Sequence, residues 1–351
     1  MEQLGNVERV EISVRPKGGG TPWATLRTPP IENGTIDLPE GETSVAKFSI
    51  PERGQLASSV IDQISDLQEL IVPWATEVAV AVNGVELVTG PVVDIQGDLV
   101  EVHDFSAWWA RRDTQGHQIE SDDPVRIFRT VHDAGMAEDD SPNFAVQPFN
   151  SGLVWSFQSD PLDYTKLSDS LQTFRDAGVS WFARGRNIYV RGPRTAEPVG
   201  TFEDRHFAGR PIRHHAGKTQ ANSIRMIGSN SGEGGPYMTV EESRSSINRV
   251  GLLRRTFRDS KLDSETAVIQ AAKTRLANLE YPVRLTMPAP AQFSRRAPLS
   301  FSTLIPGSVY NVTSVIAGSA ISGLFRVERF SVSFDGSVSA SFQPVSEDNE
   351  L

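Results

Sequence analysis

Residues 74–104 read WATEVAVAVNGVELVTGPVVDIQGDLVEVHD, and the predicted fold is organised around this stretch. Valine occupies every second position from Val78 to Val82, a period of two that is typical of a half-buried strand. Asn83-Gly84 follows, and both residues tolerate positive φ, which predicts a type I′ hairpin turn. Gly90-Pro91 predicts a break or bend, because proline donates no ladder hydrogen bond. With a second tight turn at Gly97-Asp98, the stretch predicts a four-strand antiparallel meander.

The composition indicates a globular chain and excludes several kinds of site. The 351 residues are enough for two or three domains, and 38% of them are hydrophobic. There is no cysteine, which excludes disulfides, zinc thiolates and cysteine nucleophiles. The net charge of −10 argues against sequence-independent binding to the phosphate backbone of nucleic acids. A duct through which DNA slides would tolerate an acidic lining.

The sequence shows no sign of membrane insertion or secretion. No apolar run reaches transmembrane length, and the longest apolar stretches have the length of strands. The N-terminal residues 1–12 lack the basic segment and apolar core of a signal peptide. We therefore expect no membrane anchor, and synthesis and folding in the cytoplasm.

Further strands are predicted at both ends of the chain, with helical patterns mostly between them. Residues 326–334 alternate so that Val327 lies on one face and Phe330 on the other, and Asp335-Gly336 predicts another type I′ turn. Residues 228–236 are rich in glycine and serine, which predicts a long hairpin loop. The strands are expected at residues 10–14, 35–38, 45–50, 283–287, 309–315, 324–334 and 337–342, and a weak helix at 59–71.

The middle of the chain predicts a small α+β module. Asp122-Asp123-Pro124 is typical of a helix start, and Gly135 is a good stop for this first helix. A second helix is expected over residues 165–177, followed by a hairpin over residues 179–190. A third helix is expected over residues 264–279, outside the module. Trp108-Trp109 precedes the first helix, and a buried aromatic anchor where one domain meets the next is favoured there over stacking of nucleic-acid bases.

None of the candidate chemical motifs outweighs a plain structural explanation. His117 lies near Glu120, Asp122 and Asp123 and could ligate a metal together with them. Polar residues are also normal around a helix N-terminus, and this explains the same residue types without a metal. His214-His215 fits a solvated basic patch, residues 17–22 fit a flexible loop, and Asp139-Asp140 fits a solvated acidic loop. Residues 228–232 lack the Gly-x-Ser-x-Gly pattern. We therefore predict no catalytic, cofactor-binding or metal-ligating residues, no cofactor and no enzyme activity.

The order of these segments resembles a known family. Residues 78–95 are similar to the V-x-V-N-G-x-x-V-x-x-G-P-V hairpin of minor tail proteins from phages of actinobacteria, with Leu87 in place of the middle valine. Residues 104–112 resemble their D-x-x-x-W-W-x-x-R segment. These proteins are similar to the tail-tip hub of long-tailed phages and, more remotely, to the hub of contractile baseplates. Further matching segments lie at residues 178–190, 251–253, 306–310 and 325–332.

The resemblance implies a β-rich α+β fold with two tube-type antiparallel β-barrel domains and an intervening α+β module. The implied domains are residues 1–105, 106–198 and 199–351, with residues 199–245 as an alternative completion of the first. The resemblance implies a structural virion protein at the tail tip, a homotrimeric baseplate hub. Its two barrels per chain would form a pseudo-sixfold ring that adapts the sixfold tail tube to a threefold tip.

The resemblance also implies the surroundings of this ring. DNA would pass through its lumen without sequence-specific binding, and the implied neighbours are the distal tail protein, the tape measure protein and other tail-tip proteins. The alternatives are a distal tail protein ring, a host-receptor or carbohydrate-binding tail protein, and a cell-wall hydrolase. The hydrolase is disfavoured because the chain ends soon after the last hub-like strands.

Overall fold

The computed structural model describes most of the chain. Predictions for residues 59–70, 139–140, 215 and 231–234 fall outside the described residues. The described ranges are residues 9–27, 33–50, 71–137, 142–159, 165–192, 197–209, 212–214, 220–230, 235–280, 284–287, 289–316 and 319–345.

The dominant element is one sheet of twelve strands, which we call the large sheet. Its N-terminal strands are β1 (Val10–Pro16), β2 (Ala24–Arg27), β3 (Gly34–Pro39), β4 (Val45–Ser49), β5 (Thr76–Val82), β6 (Val85–Gln96) and β7 (Leu99–His103). Its C-terminal strands are β15 (Gly200–Glu203), β21 (Ala291–Gln292), β22 (Val309–Ile316), β23 (Ser319–Ser333) and β24 (Val338–Pro344). The strand order is β15-β22-β23-β3-β4-β7-β6-β5-β1-β2; in addition, β24 pairs with β23, and β21 pairs with β24.

The meander has three strands, so the prediction of four is wrong. The turn at Asn83-Gly84 is confirmed, with φ of 50° and 80° at its two residues. The Gly90-Pro91 pair does not end a strand, because β6 continues through it and changes neighbour there, from β5 to β7. A Cβ on Gly90 would lie 2.1 Å from the carbonyl oxygen of His103, so only glycine allows this close crossing.

Strand β23 joins the two ends of the chain into one sheet. Its first part pairs with β22 and its last part, from Arg329 to Ser333, pairs with β3. A bulge at Glu328 interrupts its pairing with β24, and this corrects the strict alternation predicted for residues 326–334. Because of the extra residue, Val327 and Phe330 are both fully buried in the same core rather than on opposite faces.

A second correction concerns the turn after β23. Gly336 has a φ of 94°, but Asp335 is not in the left-handed region, so the turn is not type I′. The Asp335 carboxylate instead accepts a hydrogen bond from the backbone N–H of Ser337 (2.8 Å), which closes a wider loop.

The middle of the chain contains the predicted helices and hairpin. Helix α1 (Pro124–Gly135) and helix α2 (Leu167–Asp176) pack on the hairpin of β13 (Ser180–Arg184) and β14 (Asn187–Arg191). Asp123 caps α1, as its position before Pro124 predicts. The short strands here are β8 (Asp113–Thr114), β9 (Gln118–Asp122), β10 (Ala145–Phe149), β11 (Trp155–Gln158) and β12 (Thr165–Lys166).

A three-stranded sheet, which we call the small sheet, follows with the order β18-β17-β19. Strand β17 (Ser223–Asn230) pairs antiparallel with β18 (Pro236–Glu242), as the predicted hairpin requires, and parallel with β19 (Arg254–Arg258). Helix α3 (Arg244–Val250), which the sequence did not predict, connects the two outer strands. Helix α4 (Glu265–Leu279), which the sequence predicted, packs on one face. Strands β16 (Ile212–His214) and β20 (Arg284–Thr286) form a separate pair.

Two hydrophobic cores underlie this architecture. The first core draws residues from both ends of the chain, Val10 to Val102 and Phe202 to Ala340, and lies on the large sheet. The second draws on Phe105 to Val190 and Ala221 to Ala272. The chain therefore has a β-rich α+β fold, as predicted, but among the described residues no sheet closes into a barrel within one chain. None of the described helices has the length and apolar character needed to cross a membrane.

Candidate functional site

The turn of the β13–β14 hairpin ties the middle of the chain to the large sheet through a buried charge. Glu77 of β5 is an ion-pair partner of Arg186, and its side chain is only 4% exposed. The N–H of Gly18 also donates to the Glu77 carboxylate (2.7 Å), and the Arg186 guanidinium lies 4.6 Å from the centre of the Phe105 ring. The carboxylate is therefore compensated from two sides, and loss of Arg186 would leave a buried charge without its counterion.

A second arginine in the same turn reaches the other end of the chain. Arg184 donates hydrogen bonds to the carbonyl oxygens of Leu304 and Phe301, close to the C-terminal strands of the large sheet. Burial lowers the pKa of Arg184 to about 10, so the side chain stays charged at neutral pH. Together, Arg184 and Arg186 fix the position of the hairpin against strands from both chain ends.

The aromatic segment after residue 104 forms a short 3-10 helix, Phe105–Arg111, that anchors the second core. Asp104 caps it and is itself buried, accepting hydrogen bonds from the backbone N–H groups of Ser44 and Ser106. Burial raises the pKa of the Asp104 carboxyl. Trp109 is 3% exposed and packs edge-on against Trp181, with 5.4 Å between the ring centres. This position agrees with the predicted aromatic anchor.

Trp108 points to the other side and forms a half-buried surface cluster with Trp74. The two rings meet edge to face, 5.0 Å apart. Arg111 lies over the Trp74 ring at 4.8 Å, and Lys17 and Arg112 lie over the Trp108 ring at 5.2 and 5.7 Å. Because cations of the same chain already cover these rings, the cluster offers little free surface for stacking of nucleic-acid bases.

An open cleft of about 1100 Å³ lies between the large sheet and the α4 side of the molecule. Its charged residues have both signs and form ion pairs with one another: Glu42 contacts Arg175 (2.9 Å) and Arg329 (3.1 Å). Burial, together with the carboxylates of Glu40 and Glu42, raises the pKa of Glu328 on the same wall. Small-molecule pockets are mostly apolar with a few converging polar groups, so this paired, mixed-charge cleft does not resemble one.

The residues considered for metal binding have structural partners instead. The Nε2 atom of His117 lies 3.1 Å from the Thr114 hydroxyl, and burial lowers the pKa of His117. Asp123 accepts hydrogen bonds from the Val125 N–H at the start of α1 and from the N–H and hydroxyl of Ser151. Within the described ranges, no group of three or more histidine, aspartate or glutamate side chains could hold a metal ion.

The rings of His132 and His206 are also part of the packing. His132 is 5% exposed, lies against Trp109 and shares a hydrogen bond with Asp133 (3.0 Å). The Nδ1 atom of His206 accepts the Glu203 N–H (3.0 Å), and burial lowers the pKa of His206. Neither ring faces a nucleophile or a paired carboxylate in a manner typical of catalysis.

The Glu77–Arg186 pair was missed by reasoning from sequence, although a signal was present. Glu77 precedes the half-buried strand predicted from the alternating valines, and that pattern gives no indication of a buried carboxylate. Ala79 follows on the same face and is 2% exposed, so this side of β5 is buried as well. A strand whose second face carries alanines rather than polar residues is typical of burial on both faces.

The edges of the large sheet are open among the described residues. Strand β2 pairs only with β1, and β15 pairs only with β22. Each edge presents backbone donors and acceptors that a strand of another chain could take up. Val199, directly before β15, is 64% exposed, so apolar surface accompanies one of these edges.

Comparisons with known proteins find relatives by fold but not by sequence. No family model matches the chain, and no curated protein sequence matches it. A tail protein from Neisseria meningitidis matches with a TM-score of 0.59 and 13% identity, over 95% of this chain and 96% of that one. A prophage tail protein from Listeria monocytogenes matches with a TM-score of 0.59 and 11% identity, over 97% and 95%.

A third solved structure gives the same result. A prophage tail protein from Shewanella oneidensis matches with a TM-score of 0.57 and 11% identity, over 97% of this chain and 99% of that one. The similarity therefore covers both cores and nearly the full length of each partner. The chain shares the fold of phage and prophage tail proteins.

Proposed function

We propose that the chain is a structural virion protein, the tail-tip or baseplate hub of a long-tailed phage of actinobacteria. It acts as a homotrimer that surrounds the DNA channel and adapts a sixfold tail tube to a threefold tip. The observation that carries the proposal is the fold shared with three tail proteins over at least 95% of this chain. The order of the hairpin and Trp-Trp segments in the sequence supports it.

The open edges of the large sheet support assembly through strands. Edge strands are normally protected, because unpaired backbone groups invite pairing with another chain. In the proposed trimer, edges such as β2 and β15 pair with sister copies, and the two tube-type barrels close only between chains. A rotation that closes gives a ring rather than a fibre. The DNA slides through this ring without sequence-specific contacts, and the net charge of −10 weakens its grip on phosphates.

The predicted division of the chain is part of the proposal. We place the units at residues 1–105, 106–198 and 199–351, with the distal tail protein, the tape measure protein and other tail-tip proteins as neighbours. The two hydrophobic cores support grouping the first and third units around the large sheet. The second core contains side chains from the middle unit and from residues 221–272, and this supports an interlocked third unit over a freestanding one.

The native mass of the purified protein tests this function. We expect a species of three copies at micromolar concentration, no clearing band on a peptidoglycan zymogram and no binding on a glycan array. Six copies would favour the distal tail protein instead, and a clearing band or a bound glycan would favour the hydrolase or the receptor-binding protein. A stable single copy at all concentrations, together with a virion whose axial channel is walled by other proteins, would overturn the proposal.

A further inference from the structure

The small sheet has one covered face and one bare face, and the register assigns each residue to its side. Side chains of directly paired residues point to the same face of a sheet. Ile224 and Met226 of β17 are fully buried against α4, so their pairing partners share the covered face. The remaining residues form three rows across the bare face: Glu242-Ser223-Arg254, Val240-Arg225-Thr256 and Met238-Ile227-Arg258.

The bare face is apolar along one outer strand, β18, and basic along the other outer strand, β19. Met238 is 61% exposed and Val240 41%, which is unusual for large apolar side chains that sit next to each other on one strand face. Arg254 and Arg258 lie on β19, across β17 from Met238 and Val240, and are exposed. The only acidic residue in the three rows is Glu242, which pairs with Arg254 (3.1 Å), so Arg225 and Arg258 have no acidic neighbour within these rows.

The same character continues around the end of the sheet. The connection from β18 to β19 contains Val250, 40% exposed, and Leu252, 52% exposed. Residues 244–258 contain five arginines and no acidic residue. Because the whole chain has a net charge of −10, the rest of it carries −15 once these five positive charges are set aside. Residues 244–258 are therefore a basic segment in a chain that is acidic as a whole.

We infer that the bare face of the small sheet, together with the α3–β19 connection, is a contact surface between copies of this chain. An acidic surface elsewhere on a second copy is the occupant, because the chain outside residues 244–258 is the complementary acidic partner. Apolar Met238 and Val240 are side chains that contact with a protein surface would bury, whereas phosphate backbones offer nothing for them to bury against.

The charge also determines the symmetry of the contact. A face with basic rows repels a copy of itself, so an isologous contact across a two-fold axis is unfavourable. The contact is therefore heterologous, with a different surface on each side, and such contacts generate rings when the rotation closes. This inference rests on the proposed ring and adds to it a second zone of contact, away from the edges of the large sheet.

Two variants of the full-length protein test the inference by sedimentation velocity over a range of concentrations. Met238→Asp places a charge among the apolar side chains of β18, and Arg254→Glu with Arg258→Glu reverses the charge of the basic strand β19. Matched controls are Val154→Asp, at a position 63% exposed, and Arg126→Glu on α1, whose side chain is 60% exposed. All four variants are expected to keep the wild-type circular dichroism spectrum and melting midpoint within a few degrees, since these side chains are exposed.

We expect both test variants to raise the concentration at half-assembly at least tenfold, and the controls to leave it within twofold. The wild-type assembly should also weaken from 0.05 to 0.5 M NaCl, and the arginine variant should lose most of this salt dependence. If both test variants assemble like the wild type, the inference is wrong and the proposed hub function stands.

Two further outcomes separate the inference from the proposed function. If the test variants assemble normally but lose retention on a 30-base-pair DNA duplex that binds the wild type, the face is a nucleic-acid surface and the inference is overturned. If the wild type itself stays a single copy, the inference also fails. Only an image of the virion without this chain around its axis then removes the hub function as well.

Discussion

The large and the small sheet use similar strands and differ in what covers them. The large sheet buries Phe330, Val332 and their neighbours in a core that both chain ends build together. The small sheet buries one face under α4 and leaves Met238 and Val240 exposed on the other. The first sheet therefore holds the chain together, whereas the second presents a surface. The difference shows that alternation along a strand predicts two faces but does not tell what covers each of them.

Removal of a buried ring from the large sheet should have the largest effect. Phe330 is fully buried, and Phe330→Ala is expected to lower the free energy of unfolding by about 3–5 kcal/mol, from lost burial plus the cavity left behind. Met238→Ala in the small sheet is the matched comparison, with an expected change within about 0.5 kcal/mol. Urea denaturation followed by tryptophan fluorescence measures both, under conditions that keep the same assembly state. Equal losses at the two positions would contradict the distinction between the sheets.

The charge that joins the hairpin to the large sheet should rank next. Arg186→Met leaves the Glu77 carboxylate buried without its counterion, and we expect a loss of about 3 kcal/mol. The double variant with Glu77→Gln should recover a large part of this loss. The exposed pair Arg126–Asp122 (3.9 Å) is the control, and Arg126→Met should cost less than about 1 kcal/mol. If the double variant is as unstable as the single one, the buried charge is not the cause.

The close approach of Gly90 on β6 to the end of β7 predicts a smaller loss of stability. In Gly90→Ala the added Cβ would meet the carbonyl of His103 at 2.1 Å, and backbone on both strands must shift. We expect a cost of about 1–3 kcal/mol, as for other overpacked sites. Hydrogen exchange should rise at Val92 and Val102, where β6 pairs with β7. Unchanged exchange at these amides would show that the crossing does not depend on glycine.

The smallest expected effect is a pH dependence on the small-sheet side. Burial raises the pKa of Asp263, before α4, to about 6, above its value of about 3.9 in the unfolded chain. The folded state therefore binds the extra proton, and this stabilisation is present below about pH 4 and lost as the pH rises to about 6. Asp263→Asn should flatten the stability profile between pH 4 and 6 relative to the wild type. A variant with an unchanged slope would rule out Asp263 as the source.

The local elements were largely predictable because their signals are local. Asp123 before Pro124 and Ser264 before Glu265 are cap residues that the structure uses as caps. Asn83-Gly84 forms the expected type I′ turn, and the hairpin over residues 179–190 is present. Caps and tight turns depend on a few neighbouring residues, so they can be read without knowledge of the tertiary fold.

The remaining features depend on contacts far apart in the sequence. The bulge at Glu328 depends on pairing with β24, so the prediction of strict alternation assigned Val327 and Phe330 to opposite faces. Strand β6 continues through Gly90 because it changes its pairing partner there, whereas the sequence predicts a break or bend at this position. The pairing of β23 with β3 joins residues almost 300 positions apart, and the Glu77–Arg186 pair joins residues 109 apart. The bare face of the small sheet could not be predicted either, since periodicity along a strand does not show whether another element packs on a given face.

An averaged image of the virion tail tip, at a resolution that traces the main chain, tests the central claim most directly. The account predicts three copies of this chain around the axis, with edge strands of the large sheet paired to strands of sister copies and the DNA channel inside. An axial channel walled by other proteins, with this chain absent or present as isolated single copies, would contradict it.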